Sequence, residues 1–183
     1  MQPLVLGPDS GEIAIHTTVE GSASRFGHNL KIVVSQWSAD INFEADIPVS
    51  VRVTADMAAL EISRSSGGVS PISSVDKKLI RRNAVKALRV DNNPVARYDC
   101  ERVEPTETGY QLFGQLEISG TERPQTIPLT VTAVSGGYAL AAEFPVQQTS
   151  FDVKPYAAML GTMKVGDNVR VTFSATVAAL PDA

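Results

Sequence analysis

Apolar and polar side chains alternate with a period of two along most of this chain. The pattern is cleanest near the C-terminus. There Val169, Val171, Phe173, Ala175 and Val177 share one parity, and Arg170, Thr172, Ser174 and Thr176 the other. A strand with one dry face and one wet face requires that spelling, because successive side chains leave a pleated backbone on opposite sides. The same reading predicts strands over 12–19 (Ile13, Ile15, Thr17 and Val19 on one face), 31–43 (Val33, Trp37, Ala39, Ile41, Phe43) and 48–57 (Val49, Val51, Val53, Ala55, Met57). Four more are predicted over 95–103, 110–118, 127–133 and 138–144. Eight one-sided strands suit an all-β fold, a single antiparallel up-and-down barrel of lipocalin-like shape.

One segment breaks the period. Around 74–89 the spacing becomes helical, with Ile80, Ala84, Ala87 and Leu88 on one side and Lys77, Lys78, Arg81 and Arg82 largely elsewhere. Ser73 or Ser74 can cap the start, Asp76 favours the first turn, and Asn92-Asn93-Pro94 restores extended chain. A short helix or turn is expected over 22–27. No repeat or interdomain linker interrupts the pattern, so residues 1–183 read as one domain.

A length of 183 residues supports one well-buried core, and 43% hydrophobic with 20% charged residues argues against wholesale disorder. The net charge of −4 argues against a general nucleic-acid binder, which needs a concentrated basic surface. No segment approaches the roughly 20 apolar residues of a membrane span. The opening MQPLVLGPDSGE has neither a basic start nor an apolar run typical of a signal peptide, which gives a cytoplasmic expectation. Cys100 is the sole cysteine, so an internal disulfide and a cysteine-based zinc cluster are excluded.

Chemistry-bearing residues are few. His16 sits at a polar position of its strand and reads as a surface or hydrogen-bonded histidine; His28 stands at a strand entrance beside Arg25. Cys100 lies between Asp99 and Glu101, whose charges disfavour a thiolate. There is no G-x-S-x-G elbow, P-loop or dinucleotide fingerprint. No catalytic residue, metal or cofactor is expected. The loop KPYAAMLGTMKVGD, with Lys154, Tyr156, Met159 and Lys164, reads equally as a lid at a cavity mouth or as a plug over the barrel end.

Several short segments, in order, resemble the motifs of the YceI-like family of polyisoprenoid-binding proteins. Phe26-Gly27-His28 is similar to its early histidine motif, Asp76-Lys77-Lys78-Leu79 to D-x-H-L with Lys78 for histidine, and Pro94-Val95-Ala96-Arg97-Tyr98 to P-x-I-x-F. The most specific segment, Gly114 to Pro124 (GQLEISGTERP), resembles G-x-L-T-I-x-G-x-T-K-P. Gln148 to Val153 (QTSFDV) resembles R-x-D-F-G-I, with Gln148 for the arginine and Asp152 for the glycine. The loop KPYAAMLGTMKV and the segment GHNLKIVVSQW look like an actinobacterial-type variant. The resemblance implies an extended antiparallel barrel holding an isoprenoid chain in its core, for carriage or storage without chemistry.

On that basis Trp37, Phe43, Val51, Val53, Leu112, Leu116, Phe144, Val171 and Phe173 are the expected lining. Arg25, His28, Lys154 and Tyr156 are the expected mouth, where a phosphate or quinone oxygen docks. The expected partner is an isoprenoid lipid or quinone, with a homodimer as a further possibility. The competing reading is a solid-core barrel acting as a protein-interaction or scaffold module; a cofactor-free isomerase is a more distant third.

Overall fold

The structure, a computed structural model, describes residues 3–45 and 47–178. In chain order the strands are β1 (Leu4–Leu6), β2 (Gly11–Thr17), β3 (Val19–Glu20), β4 (His28–Val34), β5 (Trp37–Glu44), β6 (Ile47–Asp56) and β7 (Leu60–Gly67). Helix α1 (Ser74–Ala87) follows, then β8 (Val95–Thr106), β9 (Gly109–Ile118), β10 (Thr121–Val134) and β11 (Gly137–Gln147). The chain closes with β12 (Ala157–Ala158), β13 (Met163–Val165) and β14 (Asn168–Ala178). Short 3-10 turns occupy Ser24–Phe26, within the predicted 22–27, as well as Gln148–Phe151 and Met159–Gly161.

Eleven strands, not eight, form the main sheet, in the order β1-β5-β6-β8-β9-β10-β11-β14-β2-β4-β7, with every pair antiparallel. Three causes account for the difference. β1 is too short to show a period. β7 turns polar after Ile62, so its apolar half is only Leu60 and Ile62. The predicted strand 31–43 is two strands, β4 and β5, separated by Ser35-Gln36. That bend carries neither Gly nor Pro, and it reverses the inward parity. Leu30, Ile32 and Val34 face the interior on β4, and Ala39, Ile41 and Phe43 on β5. Val33 therefore faces away from the interior, contrary to the expectation.

β4 runs on into β5, and β6 into β7, so Val34 opposite Leu60, Ser35 opposite Ala59, Gln36 opposite Asp56 and Trp37 opposite Ala55 make one long antiparallel ladder. The sheet curls into an open barrel whose edge strands are β1 and β7. Backbone bonds near the bend include Ser35 N–H to Ala59 O (2.9 Å), Asp56 N–H to Gln36 O (2.9 Å) and Met57 N–H to Pro94 O (2.8 Å). A separate small sheet, β12-β13-β3, sits by the ends of β2 and β4.

Helix α1 begins where the sequence predicts. Ser73 Oγ accepts from the Asp76 N–H, and the Asp76 carboxylate accepts from the Ser73 N–H (2.9 Å) and Oγ–H (2.6 Å), a complete capping box. None of the helix's residues is fully buried. It is held by the half-buried Ile80, Ala84 and Val85 packing on the core and by specific tethers. Arg81 donates to the carbonyls of Leu60 (3.0 Å) and Ala58, and at the far end Ser119 Oγ donates to Leu88 O (2.7 Å). Ser119 and Gly120, both at positive φ (53° and 78°), make the tight β9–β10 turn that brings that hydroxyl to the helix.

A long apolar cavity and its polar mouth

The inward faces do not fill the barrel. They surround a cavity of about 1010 Å³ to which every strand of the main sheet contributes. That is at the upper end of small-molecule sites, which run to about 1,000 Å³. The wall is made of Val, Ile, Leu, Ala and Phe, because those are the types the sequence places at inward parity. Small residues such as Ala39, Ala55, Ala96 and Ala142 keep the interior open where larger ones would meet across it.

Of the nine residues expected to line the interior, Phe43, Val51, Val53, Leu112, Leu116, Phe144, Val171 and Phe173 border the cavity. Trp37 does not. It is buried (7% exposed) behind the wall, edge-on to Phe173 with ring centroids 5.7 Å apart and planes at 86°. Of the four expected mouth residues, His28 and Tyr156 border the cavity, whereas Arg25 and Lys154 are exposed outside it. Arg25 stacks on the Phe26 ring at 4.6 Å.

The mouth is built by segments distant in sequence. His28 stands at the start of β4, and its Nε2 donates to the Ser70 carbonyl (2.8 Å), fixing the strap that leads into α1. Met163, Lys164 and Val165 of β13 border the cavity beside Val19 and Gly27. A Cβ on Gly27 would meet Val19 Cγ2 at 2.6 Å and Met163 Sδ at 2.9 Å, so a larger residue would push these side chains apart. On the other side α1 contributes Ile80, Asn83, Ala84 and Ala87.

Three polar groups at this end stand outside the four residues expected at the mouth: Thr17, Gln148 and Lys164, of which Lys164 belongs to the loop read as a lid or plug. The Thr17 hydroxyl is buried with no hydrogen-bond partner among the described residues. Lys164 Nζ lies 3.8 Å from Glu20, a loose pair. Gln148 donates its side-chain amide to Gly166 O (2.8 Å). Strand pairing brings these residues together across more than a hundred positions, and no local motif announces it.

The groups with reactive potential are otherwise engaged. Cys100 is 2% exposed and its thiol donates to Arg102 O (3.2 Å). The Tyr98 hydroxyl shares its proton between Leu112 O (3.1 Å) and Gln125 O (3.0 Å), and burial, then the neighbouring Cys100, pushes its pKa up. It remains a neutral donor at any working pH. His16 is bonded to Thr172 Oγ1 (3.0 Å), and desolvation, then the Arg170 and Lys31 charges, lowers its pKa from the ordinary value. Among the described residues no group of three or more His, Cys, Asp or Glu could hold a metal ion.

The sequence pattern of the YceI-like domain matches residues 11–177. The chain belongs to the YceI-like family. No curated protein matches the sequence. Among solved structures, Burkholderia cenocepacia BcnA superposes with a TM-score of 0.68 at 15% identity, covering 92% of this chain and 96% of that one. A Campylobacter jejuni YceI protein gives 0.60 at 12% identity, covering 83% and 86%. A polyisoprenoid binding domain from Saccharophagus degradans, implicated in plant cell wall breakdown, gives 0.61 at 9% identity, covering 94% and 97%. At such identities these likenesses concern the fold. Among the described residues no helix is long and apolar enough to cross a membrane.

Proposed function

We propose that this YceI-like protein binds a long isoprenoid lipid, of the isoprenoid-quinone or polyprenyl-phosphate type, inside the curled sheet and carries or stores it without chemical change. The observation that carries this reading is the cavity of about 1010 Å³ walled mainly by hydrocarbon. Burial of apolar surface there is worth roughly 25 cal/mol per Å², enough for a tail to dominate affinity without specific polar contacts. The relative from Saccharophagus degradans, described as a polyisoprenoid binding domain, supports the same class of ligand. The engagement of Cys100 and His16 in structural hydrogen bonds supports a binding rather than a catalytic role. An interior left open also weakens the solid-core scaffold alternative.

In this reading the nine-residue lining expected from sequence acts as wall, Trp37 from behind Phe173. The head group sits at the mouth, near His28, Tyr156, Thr17 and Lys164. Native mass spectrometry of the purified protein, followed by solvent extraction, tests the proposal. A bound mass resolving into five-carbon units is the expected result. An apo mass that takes up nothing from a mixture of polyprenols and isoprenoid quinones refutes it.

A further inference from the structure

Five strand cations, Lys31, Arg52, Arg97, Arg102 and Arg170, each pair with a carboxylate, whereas Arg64 and Arg123 do not among the described residues. Around the mouth the pattern changes. Helix α1 carries five cations (Lys77, Lys78, Arg81, Arg82, Lys86) against one carboxylate, Asp76, which the helix cap already engages. None of the five, nor Arg25 or Lys154, has a carboxylate partner among the described residues. In a protein of net charge −4, α1 thus carries a local excess of positive charge with no carboxylate partner.

Exposed apolar side chains collect at the same end. Among the described residues eleven large hydrophobics are exposed, and seven belong to its segments: Phe26, Val69, Val75, Leu79, Tyr156, Met159 and Leu160. Leu160 is fully exposed at the tip of the 156–165 loop, where Met159, Leu160 and Gly161 all have positive φ (51°, 56° and 86°). On α1, Val75, Lys78, Leu79, Arg82 and Lys86 fall on one outward stripe by helical spacing, and all are exposed. The opposite side of the helix borders the cavity. His28, bonded to Ser70 and adjoining Gly27 and Met163, joins the helix strap to the loop, so both sets rim one opening.

We propose that this rim docks on a bilayer surface bearing anionic head groups. The loop tip inserts Met159 and Leu160 among the acyl chains, and the α1 stripe lies on the phosphates, so that the mouth opens toward the membrane. The combination fits a lipid surface because basic and apolar groups are interleaved, as in interfacial helices. The purpose assigned to this surface, loading and delivery of the isoprenoid, rests on the function proposed above; the surface itself does not.

Flotation with vesicles free of isoprenoid tests it, comparing phosphatidylcholine alone with phosphatidylcholine containing phosphatidylglycerol. The protein binds only the anionic vesicles and is released as salt rises from about 50 to about 500 mM. Each cation near such a surface contributes roughly a five-fold effect, so Lys78→Gln/Arg82→Gln weakens binding about 25-fold. Leu160→Asp weakens it roughly ten-fold. Both variants keep the wild-type melting curve and wild-type uptake of detergent-solubilised isoprenoid, which separates this surface from the cavity. Vesicle binding by a protein that takes up no isoprenoid supports the docking surface while removing the ligand reading. Absence of binding, equal binding to neutral vesicles, or wild-type binding by the variants overturns it. A dimer that Leu160→Asp dissociates, without vesicle binding, assigns the rim to a second copy and also overturns it.

Discussion

If the cavity is a container for an isoprenoid tail, its volume sets the length of tail that improves binding, and one added side chain shortens that length. A carbon with its hydrogens occupies about the same ~30 Å³ as a water in the liquid. The cavity of about 1010 Å³ then holds on the order of 30 carbons, roughly six or seven isoprene units. Each buried methylene-sized group contributes about 0.8 kcal/mol, so a five-carbon unit adds up to ~4 kcal/mol before ordering costs reduce it. Affinity therefore climbs steeply with chain length and stops climbing once the cavity is full.

Ala142 of β11 borders the cavity between Leu129 and Phe173, its partners on β10 and β14. Ala142→Phe adds six carbons to the wall and removes about 180 Å³, slightly more than one isoprene unit. The plateau moves one unit shorter, and the longest tails lose up to ~5 kcal/mol while tails of three or four units bind as before. Trp37 supplies the assay. It is the sole tryptophan and touches Phe173, which borders the cavity, so filling changes its surroundings. Fluorescence titration with polyprenols of increasing length, with native mass spectrometry for stoichiometry, locates the plateau in both proteins. Affinity independent of chain length, or an unmoved plateau in a variant with a native melting curve, refutes the reasoning.

Other substitutions probe the scaffold and the mouth. Gly114→Ala places a Cβ 2.4 Å from Asp99 O and 2.8 Å from Tyr98 Cζ beside the β8 bulge, and is expected to lower stability by about 2 kcal/mol in urea unfolding. Ser73→Ala removes the α1 cap at a local cost of about 1 kcal/mol, raising amide exchange in the helix and speeding ligand release without changing the barrel's melting. The Ser73 side-chain and backbone hydrogen bonds hold the Asp76 carboxyl below its ordinary pKa. Its contribution is therefore present above the ordinary carboxylate range and lost as pH falls through the depressed folded value. Asp76→Asn removes that acid dependence of α1 protection. Gln148→Arg returns a cation to the cavity border and is expected to shift preference from polyprenol toward polyprenyl phosphate in competition binding; unchanged selectivity removes this position from head-group recognition.

The wall was legible in the sequence because each of its strands has one dry face. Leu112 and Leu116 on β9, and Val171 and Phe173 on β14, reveal their side through a period of two. The reading failed where local signals vanish: the bend at Ser35-Gln36 swaps the inward parity without Gly or Pro, and β7 hides behind Arg64, Ser65 and Ser66. The mouth was legible only in part, since it is assembled by pairing rather than by spacing. His28 and Tyr156 border the cavity, but Thr17, Gln148 and Lys164 reach it from three separate strand ends and turns. Arg25 and Lys154 carry the expected charge, yet their backbone positions send it outward.

Two departures from the resembling motif, Gln148 and Asp152, fall at this same end, and the structure separates their effects. Asp152 stands where the motif has glycine and adopts the left-handed conformation that glycine favours (φ 56°, ψ 23°). Aspartate tolerates that region better than most side chains, and its carboxylate accepts from Thr121 Oγ1 (3.0 Å), tying the turn to β10. Gln148 stands where the motif has arginine. Its backbone N–H donates to Asp167 O (2.8 Å) and its amide to Gly166 O, while the Asp167 carboxylate receives the Thr149 N–H (2.9 Å) and hydroxyl (2.7 Å). Those two Thr149 bonds, side chain before backbone, hold the Asp167 pKa below its usual value, so the brace persists across the neutral range. Both substitutions thus preserve the shape of the barrel end. What changes is charge: at position 148 a neutral amide stands on the cavity border in place of the motif's cation, which leaves Lys164, loosely paired with Glu20, as the cation of this end that borders the cavity. Under the proposed function an ionised head group therefore has Lys164 as its counter-charge, because an ionised group brought inward without a partner is costly.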